Sequence, residues 1–211
     1  MRAAELIAGA HALLVDLDGT LVDSTAPVRR AWSAFAKRHG LDHEEVHRFA
    51  QGRPSRETIR LLLPDADHAA EAAAVEHAEV HDTAGVFAVP GASRLLASDR
   101  PLAIVTSCTT ALALARLRAA ELTVPRVLVT SDGLERGKPD PECFLIAARR
   151  LGADPSRCVV LEDAPAGIRA GRAAGATVIA LRTTHSDDEL RDAHAIADDL
   201  ASLWTAHHPR P

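Results

Sequence analysis

The sequence predicts an α/β fold: a doubly wound, Rossmann-like parallel sheet core with a small all-α helical cap inserted after the first strand. Three observations predict it. Short, continuous Val/Leu/Ile runs recur, as strands buried on both faces require. Alanine-rich, helix-prone stretches alternate with those runs. One long segment, Ser24 to Val89, breaks the alternation and shows amphipathic helical patterns instead.

The first strand is expected over His11 to Leu17, and the chain leaves it through an acidic turn. In the segment that follows, Val28, Ala31, Trp32, Phe35 and Ala36 recur at helical spacing, and Gln51 to Thr58 ends one helix, turns at Gly52 and opens another at Pro54 or Ser55. Residues 23–89 are therefore read as the cap, and 1–22 with 90–211 as the core. Such an insert emerges beside the carboxyl end of the first strand, where open α/β sheets place their ligands. Beyond Pro90-Gly91 the alternation resumes. Strands are expected over Pro101 to Thr106, Arg126 to Thr130, Cys158 to Leu161 and Thr177 to Leu181, and helices over Ala111 to Glu121, Pro141 to Leu151 and Ala164 to Ala174.

Composition removes whole classes of partner. A net charge of −5 and a pI near 6.1 offer no clustered positive charge for nucleic acid. No apolar run approaches the roughly 18 residues of a membrane span, and the run Ala12 to Val15 is cut by Asp16 before it forms a signal-peptide core. Cys108, Cys143 and Cys158 are odd in number and lack metal-ligand spacing, so they read as reduced interior thiols of a cytoplasmic protein, in preference to a thiol catalyst at Cys108.

Four segments carry chemistry. Asp16-Leu17-Asp18-Gly19-Thr20 places two acids on one side of extended chain at a strand end, with Gly19 allowing a sharp turn and Thr20 able to bond to it. The pair fits either an ordinary acidic turn or a cation site. Thr106-Ser107 supplies hydroxyl and amide donors at the next strand end. Lysine occurs only at Lys37 and Lys138, so Lys138, on the loop Gly137-Lys138-Pro139-Asp140-Pro141, stands out as a neutraliser of phosphate. Glu162-Asp163 follows another buried strand and can complete an oxygen-rich shell for Mg2+. In contrast, His43-Glu44-Glu45-Val46-His47 has zinc-ligand spacing, but it is polar, short and without a third ligand, and it reads as a solvated helix face.

With these four segments in this order, the chain resembles the haloacid-dehalogenase superfamily of hydrolases from about His11 to Leu203. The resemblance implies Asp16 as nucleophile, Asp18 as acid and base, and Thr106, Ser107 and Lys138 as holders of the phosphoryl group. It also implies Mg2+ bound by Asp16, the Asp18 carbonyl and Asp163, with Glu162 assisting directly or through water. The insert resembles the family's small α-helical cap, whose specificity loop falls here on Gly52 and Arg53. With Arg29-Arg30-Ala31-Trp32 and Arg38-His39-Gly40-Leu41, that cap is most similar to sugar and sugar-alcohol phosphatases. A small phosphorylated metabolite is thus the expected partner of a monomer or weak homodimer. The family's β-phosphoglucomutases match every core motif but carry a cap histidine where this chain has Val28, which favours hydrolysis. Asp18 argues against a dehalogenase, and Lys37, the cap's single lysine, reads as solvated and not imine-forming. Catalytically inactive relatives serving as binding modules usually lose the acids that are retained here.

Overall fold

The structure, a computed structural model, describes residues 3–50 and 55–204. A short helix α1 (Ala3–Gly9) leads into β1 (Ala12–Val15), and a two-residue strand β2 (Val22–Asp23) carries the chain into four helices, α2 (Thr25–His39), α3 (His43–Ala50), α4 (Ser55–Leu62) and α5 (His68–His81). It returns through β3 (Phe87–Ala88) and α6 (Ala92–Leu96). Then follow β4 (Leu102–Val105), α7 (Thr110–Ala119), β5 (Val127–Val129), α8 (Glu142–Leu151), β6 (Cys158–Glu162), α9 (Pro165–Ala173), β7 (Thr177–Leu181), α10 (Asp187–Leu190) and β8 (Ala195–Ala197).

The main sheet has six strands in the order β5-β4-β1-β6-β7-β8, every pair parallel. The chain fills one half from β1 outwards through β4 to β5, then crosses over and fills the other. The order therefore reverses beside β1, which opens a crevice at the carboxyl ends of β1, β4 and β6. Side-chain alternation splits the interior into two layers. Leu13 and Val15 join Leu6, Ile104, Leu117 and Leu200 on one face, while Ala12 and Leu14 join Phe144, Ala147, Ile168 and Val178 on the other. Burial on both faces explains why the strands read as unbroken apolar runs.

The inserted helices have their own small core of Ala31, Trp32, Phe35, Ala36, Val46, Ile59 and Val75, with Trp32 and Phe35 packed edge to face at 5.3 Å. These include four of the five positions that the helical spacing marked in α2, while Val28 packs against them only partly buried. Both chain crossings run through the antiparallel ribbon β2–β3, where Val22 pairs with Ala88 and Asp23 with Phe87. The short elements went unforeseen, among them the β2–β3 ribbon, α6, α10, β8 and α1. β8 is only Ala-Ile-Ala and owes its strand conformation to pairing with β7, and α1 is held by burying Leu6 and Ile7 against the core. Among the described residues no helix is long and apolar enough to cross a membrane.

Candidate active site

Asp16 follows β1 directly, and its backbone N–H bonds the Leu161 carbonyl of β6 at 2.9 Å, so the first acid is anchored to the strand that carries the second pair. Gly19 turns the chain with φ 81°, and a Cβ there would strike the Asp163 carboxylate. Gly167 in α9 is needed in the same way, because a Cβ would collide with the Glu162 carboxylate. The glycines thus leave room for the acids.

Lys138, on the loop between β5 and α8, reaches across the crevice. Its ammonium group donates to Asp16 at 2.5 Å, to Glu162 at 2.7 Å and to the Val105 carbonyl at 3.1 Å. Carboxylate oxygens of Asp16, Glu162 and Asp163 lie within 4.8 Å of one another, and all three residues are buried. Glu162 is fully engaged, for its second oxygen accepts the backbone N–H groups of Asp163 and Ala164, both at 2.9 Å. Asp163 accepts hydroxyl bonds from Thr20 at 3.2 Å and from Thr184. Thr20 therefore bonds the second acid pair and not its own turn.

Three buried acids share one ammonium group, and the electrostatics follow. Burial, and then the Glu162 charge, push Asp163 up to about 7, in spite of the hydroxyls of Thr184 and Thr20. Burial likewise raises Asp16 well above the carboxylate range, with Lys138 acting against the shift. Burial opposes the charge on Lys138, but Asp16 and Glu162 more than offset it and hold the ammonium protonated. An all-oxygen donor set with more negative charge than one lysine compensates fits a hard divalent cation such as Mg2+.

Asp18 points towards the inserted helices. One oxygen accepts the Ser24 hydroxyl at 2.7 Å, and the other meets the Cys108 thiol at 3.0 Å and the Arg116 guanidinium. Burial and the charge of Asp18 push Cys108 up, so it stays a thiol and a donor, as expected of a cysteine that is not the catalyst. Thr106 is buried at the end of β4, its hydroxyl accepting the Cys108 backbone N–H at 3.1 Å, and Ser107 beside it is exposed to the crevice.

A cavity of about 550 Å³ lies between sheet and inserted helices. Asp16, Asp18, Thr106, Ser107, Lys138, Glu162 and Asp163 all line it. Its far wall carries Val28, Arg29, Glu44, His47 and Arg48. Gly52 and Arg53 lie outside the described residues. The His43/His47 spacing is not a metal pair: the rings are 6.5 Å apart, His43 pairs with Glu44, and His47 bonds the Ser33 hydroxyl at 3.1 Å. Its helix face is nonetheless not simply solvated, since Glu44, His47 and Arg48 meet the cavity. Burial and the Arg29 charge hold His47 below the ordinary imidazole range, as a neutral ring. Arg116 and Thr184 were missed as well, because one of two Arg residues in an alanine-rich helix and a Thr after a strand carry no local signal.

A parallel α/β sheet with paired acids and a buried lysine at its switch point defines a class, the hydrolases built on an aspartate-bearing Rossmann-like core. The particular family follows from comparison. The model for haloacid dehalogenase-like hydrolases matches residues 10–175, and the chain belongs to that family. It is thus an enzyme, a hydrolase. It is 42% identical to hexitol phosphatase A of Escherichia coli, covering 93% of this chain and 94% of that one. It is 36% identical to validoxylamine A 7'-phosphate phosphatase of Streptomyces hygroscopicus, covering 92% and 96%. Among solved structures, CbbY from Rhodobacter sphaeroides in complex with phosphate superposes with a TM-score of 0.81 at 27% identity, over 92% of this chain and 96% of that one.

Proposed function

We propose that the chain is a cytoplasmic, Mg2+-dependent phosphatase that hydrolyses a small sugar or sugar-alcohol phosphate through an aspartyl-phosphate on Asp16. The observation that carries this reading is Lys138 bridging Asp16 and Glu162 within reach of Asp163, at the open end of the sheet. Asp16, Asp163 and the Asp18 carbonyl would hold the ion, which when bound offsets the charge of the phosphoryl oxygens. Glu162, spent on Lys138 and on backbone N–H groups, fits orientation of the lysine better than direct ligation.

Asp16 attacks phosphorus, forming a new P–O bond as the bond to the substrate oxygen breaks, while Lys138, Thr106 and Ser107 hold the phosphoryl oxygens. Asp18 gives its proton to the leaving oxygen. It then takes a proton from water, which attacks the aspartyl-phosphate, releases inorganic phosphate and restores Asp16. Residues 23–89 act as the cap over this chemistry. The leaving group faces Arg29, Glu44, His47 and Arg48, a wall of donors and acceptors suited to hydroxyls. The named substrates of the phosphatase relatives support the same class.

The test is a phosphate-release screen with Mg2+ over sugar, polyol, nucleotide and glycolate phosphates, with Asp16→Asn as control. Polyol and hexose phosphates should lead, and release unaffected by Asp16→Asn would remove the mechanism. Val28 on the cavity wall supports hydrolysis over the mutase reaction. Incubation with β-glucose 1-phosphate and a bisphosphate primer should yield free phosphate, whereas glucose 6-phosphate would mark a mutase.

A further inference from the structure

Arg116 sits in α7, outside the cavity wall, with its side chain only 5% exposed. Its guanidinium is split between two acids from different parts of the molecule. One arm meets Asp18 and donates to the Cys108 thiol at 3.0 Å, and the other donates to Glu79 of α5 at 2.6 Å. Glu79 is itself buried, with 8% of its side chain exposed. Beside this bridge Thr109, which caps α7, bonds Glu76 of α5.

Removing three charged groups from water is costly, and an apolar contact would join α5 to α7 at least as firmly, so stability alone is a weak reason for the arrangement. Its geometry has a more specific consequence. Asp18 is tied on one side to Ser24, where the chain enters the inserted helices, and on the other through Arg116 to Glu79, shortly before it leaves them. Both arms of the insert therefore end on one carboxylate. Ser24, Cys108 and Arg116 all contact it, so groups from three separate segments fix where its carboxylate oxygens point.

We propose that Arg116 is a positioning residue: by joining Glu79 of the cap to Asp18 of the core, it makes the orientation of Asp18 as a base depend on how α5 is docked. The inference rests on the phosphatase reading, in which Asp18 activates water in the second step. That step is what Arg116 supports.

Steady-state and rapid-mixing kinetics with 4-nitrophenyl phosphate and Mg2+ test it, because an aryl leaving group needs little proton assistance and isolates the base role. Arg116→Gln should lower kcat about tenfold or more, lower KM in step, and leave kcat/KM within about threefold, with a burst of nitrophenolate as aspartyl-phosphate accumulates. Glu79→Gln, which keeps the shape and removes the charge, should shift the same quantities in the same direction, about three- to tenfold in kcat. If Arg116→Gln does not fold, Glu79→Gln carries the test alone. An unchanged kcat, or kcat and kcat/KM falling together without a burst, overturns the proposal, since loosened packing would reduce both alike. A wild-type enzyme that releases no phosphate from any substrate overturns the phosphatase reading itself; an active wild type with the wrong variant pattern overturns only the role of Arg116.

Discussion

The sheet core and the inserted helices handle charge in opposite ways. In the core three charged residues at the centre of the site are buried: the side chains of Asp16, Lys138 and Glu162 are 10%, 7% and 2% exposed. Among the inserted helices, ion pairs such as Arg29–Glu44 at 3.2 Å and Arg30–Asp82 at 2.6 Å lie at the surface, and such exposed pairs contribute little to stability. A reacting centre needs charges fixed before substrate arrives and undiluted by water, and strand ends packed on both faces provide that. A surface that recognises varied hydroxyl patterns needs side chains able to rearrange. On the proposed phosphatase reading, the difference teaches that chemistry and recognition fall to separate units, joined by the β2–β3 ribbon and by the buried Arg116 bridge.

The largest effect should come from the core. Asp16→Asn removes the proposed nucleophile and should lower kcat by at least about a thousandfold, measured as phosphate release, with the fold intact by circular dichroism. Lys138→Ala should follow at about a hundredfold or more, as for loss of a main oxyanion donor, and its deficit should not be recovered by raising substrate concentration. Equal sensitivity at Arg29 or His47 would break the division between the units.

Stability offers a second comparison. Phe35 and Phe144 are both fully buried, one among the inserted helices and one in the sheet core, and truncating either to Ala should cost about 3–5 kcal/mol. A single unfolding transition in both variants is expected if the Arg116 bridge couples the units. A separate early transition in Phe35→Ala alone would show the inserted helices melting by themselves.

Smaller changes belong to the cavity's far wall. His47→Ala and Arg29→Ala should raise KM for polyol phosphates about three- to thirtyfold, while kcat/KM for an aryl phosphate moves less than about threefold, which a parallel kinetic series would check. The smallest effect concerns Glu79. Burial pushes this carboxyl up to about 7 despite Arg116, whose charge is shared with Asp18. The folded state thus holds the proton more tightly than the unfolded chain, so its stabilising contribution is full below about 4.5 and lost as pH rises through 7. Between pH 5 and 8 the wild-type melting temperature should fall about 5–10 °C more than that of Glu79→Gln, and identical pH slopes would refute the assignment.

Much of the core was legible because its signals are local. A strand buried on both faces is an unbroken apolar run, and an acid at its end is fixed by adjacency, so Asp16, Thr106, Glu162 and Asp163 could be placed on strand ends from the residues around them. Lys138 stood out by the rarity of lysine. The same local logic failed on α3, where His47 and Glu44 were read as a solvated face, because periodicity gives the face a residue occupies but not what lies opposite.

By itself the sequence determined the α/β class, the insertion of helices after the first strand, and the identity and order of the acids and lysine that meet at the sheet's switch point. Only the tertiary structure decided that Arg116 joins Asp18 to Glu79, that Thr20 and Thr184 support Asp163, and that α3 walls the cavity. The physical reason is range. Strand burial and turn chemistry act between neighbours and leave a pattern in the chain, whereas a buried ion pair between distant helices depends on where packing brings them together and leaves none.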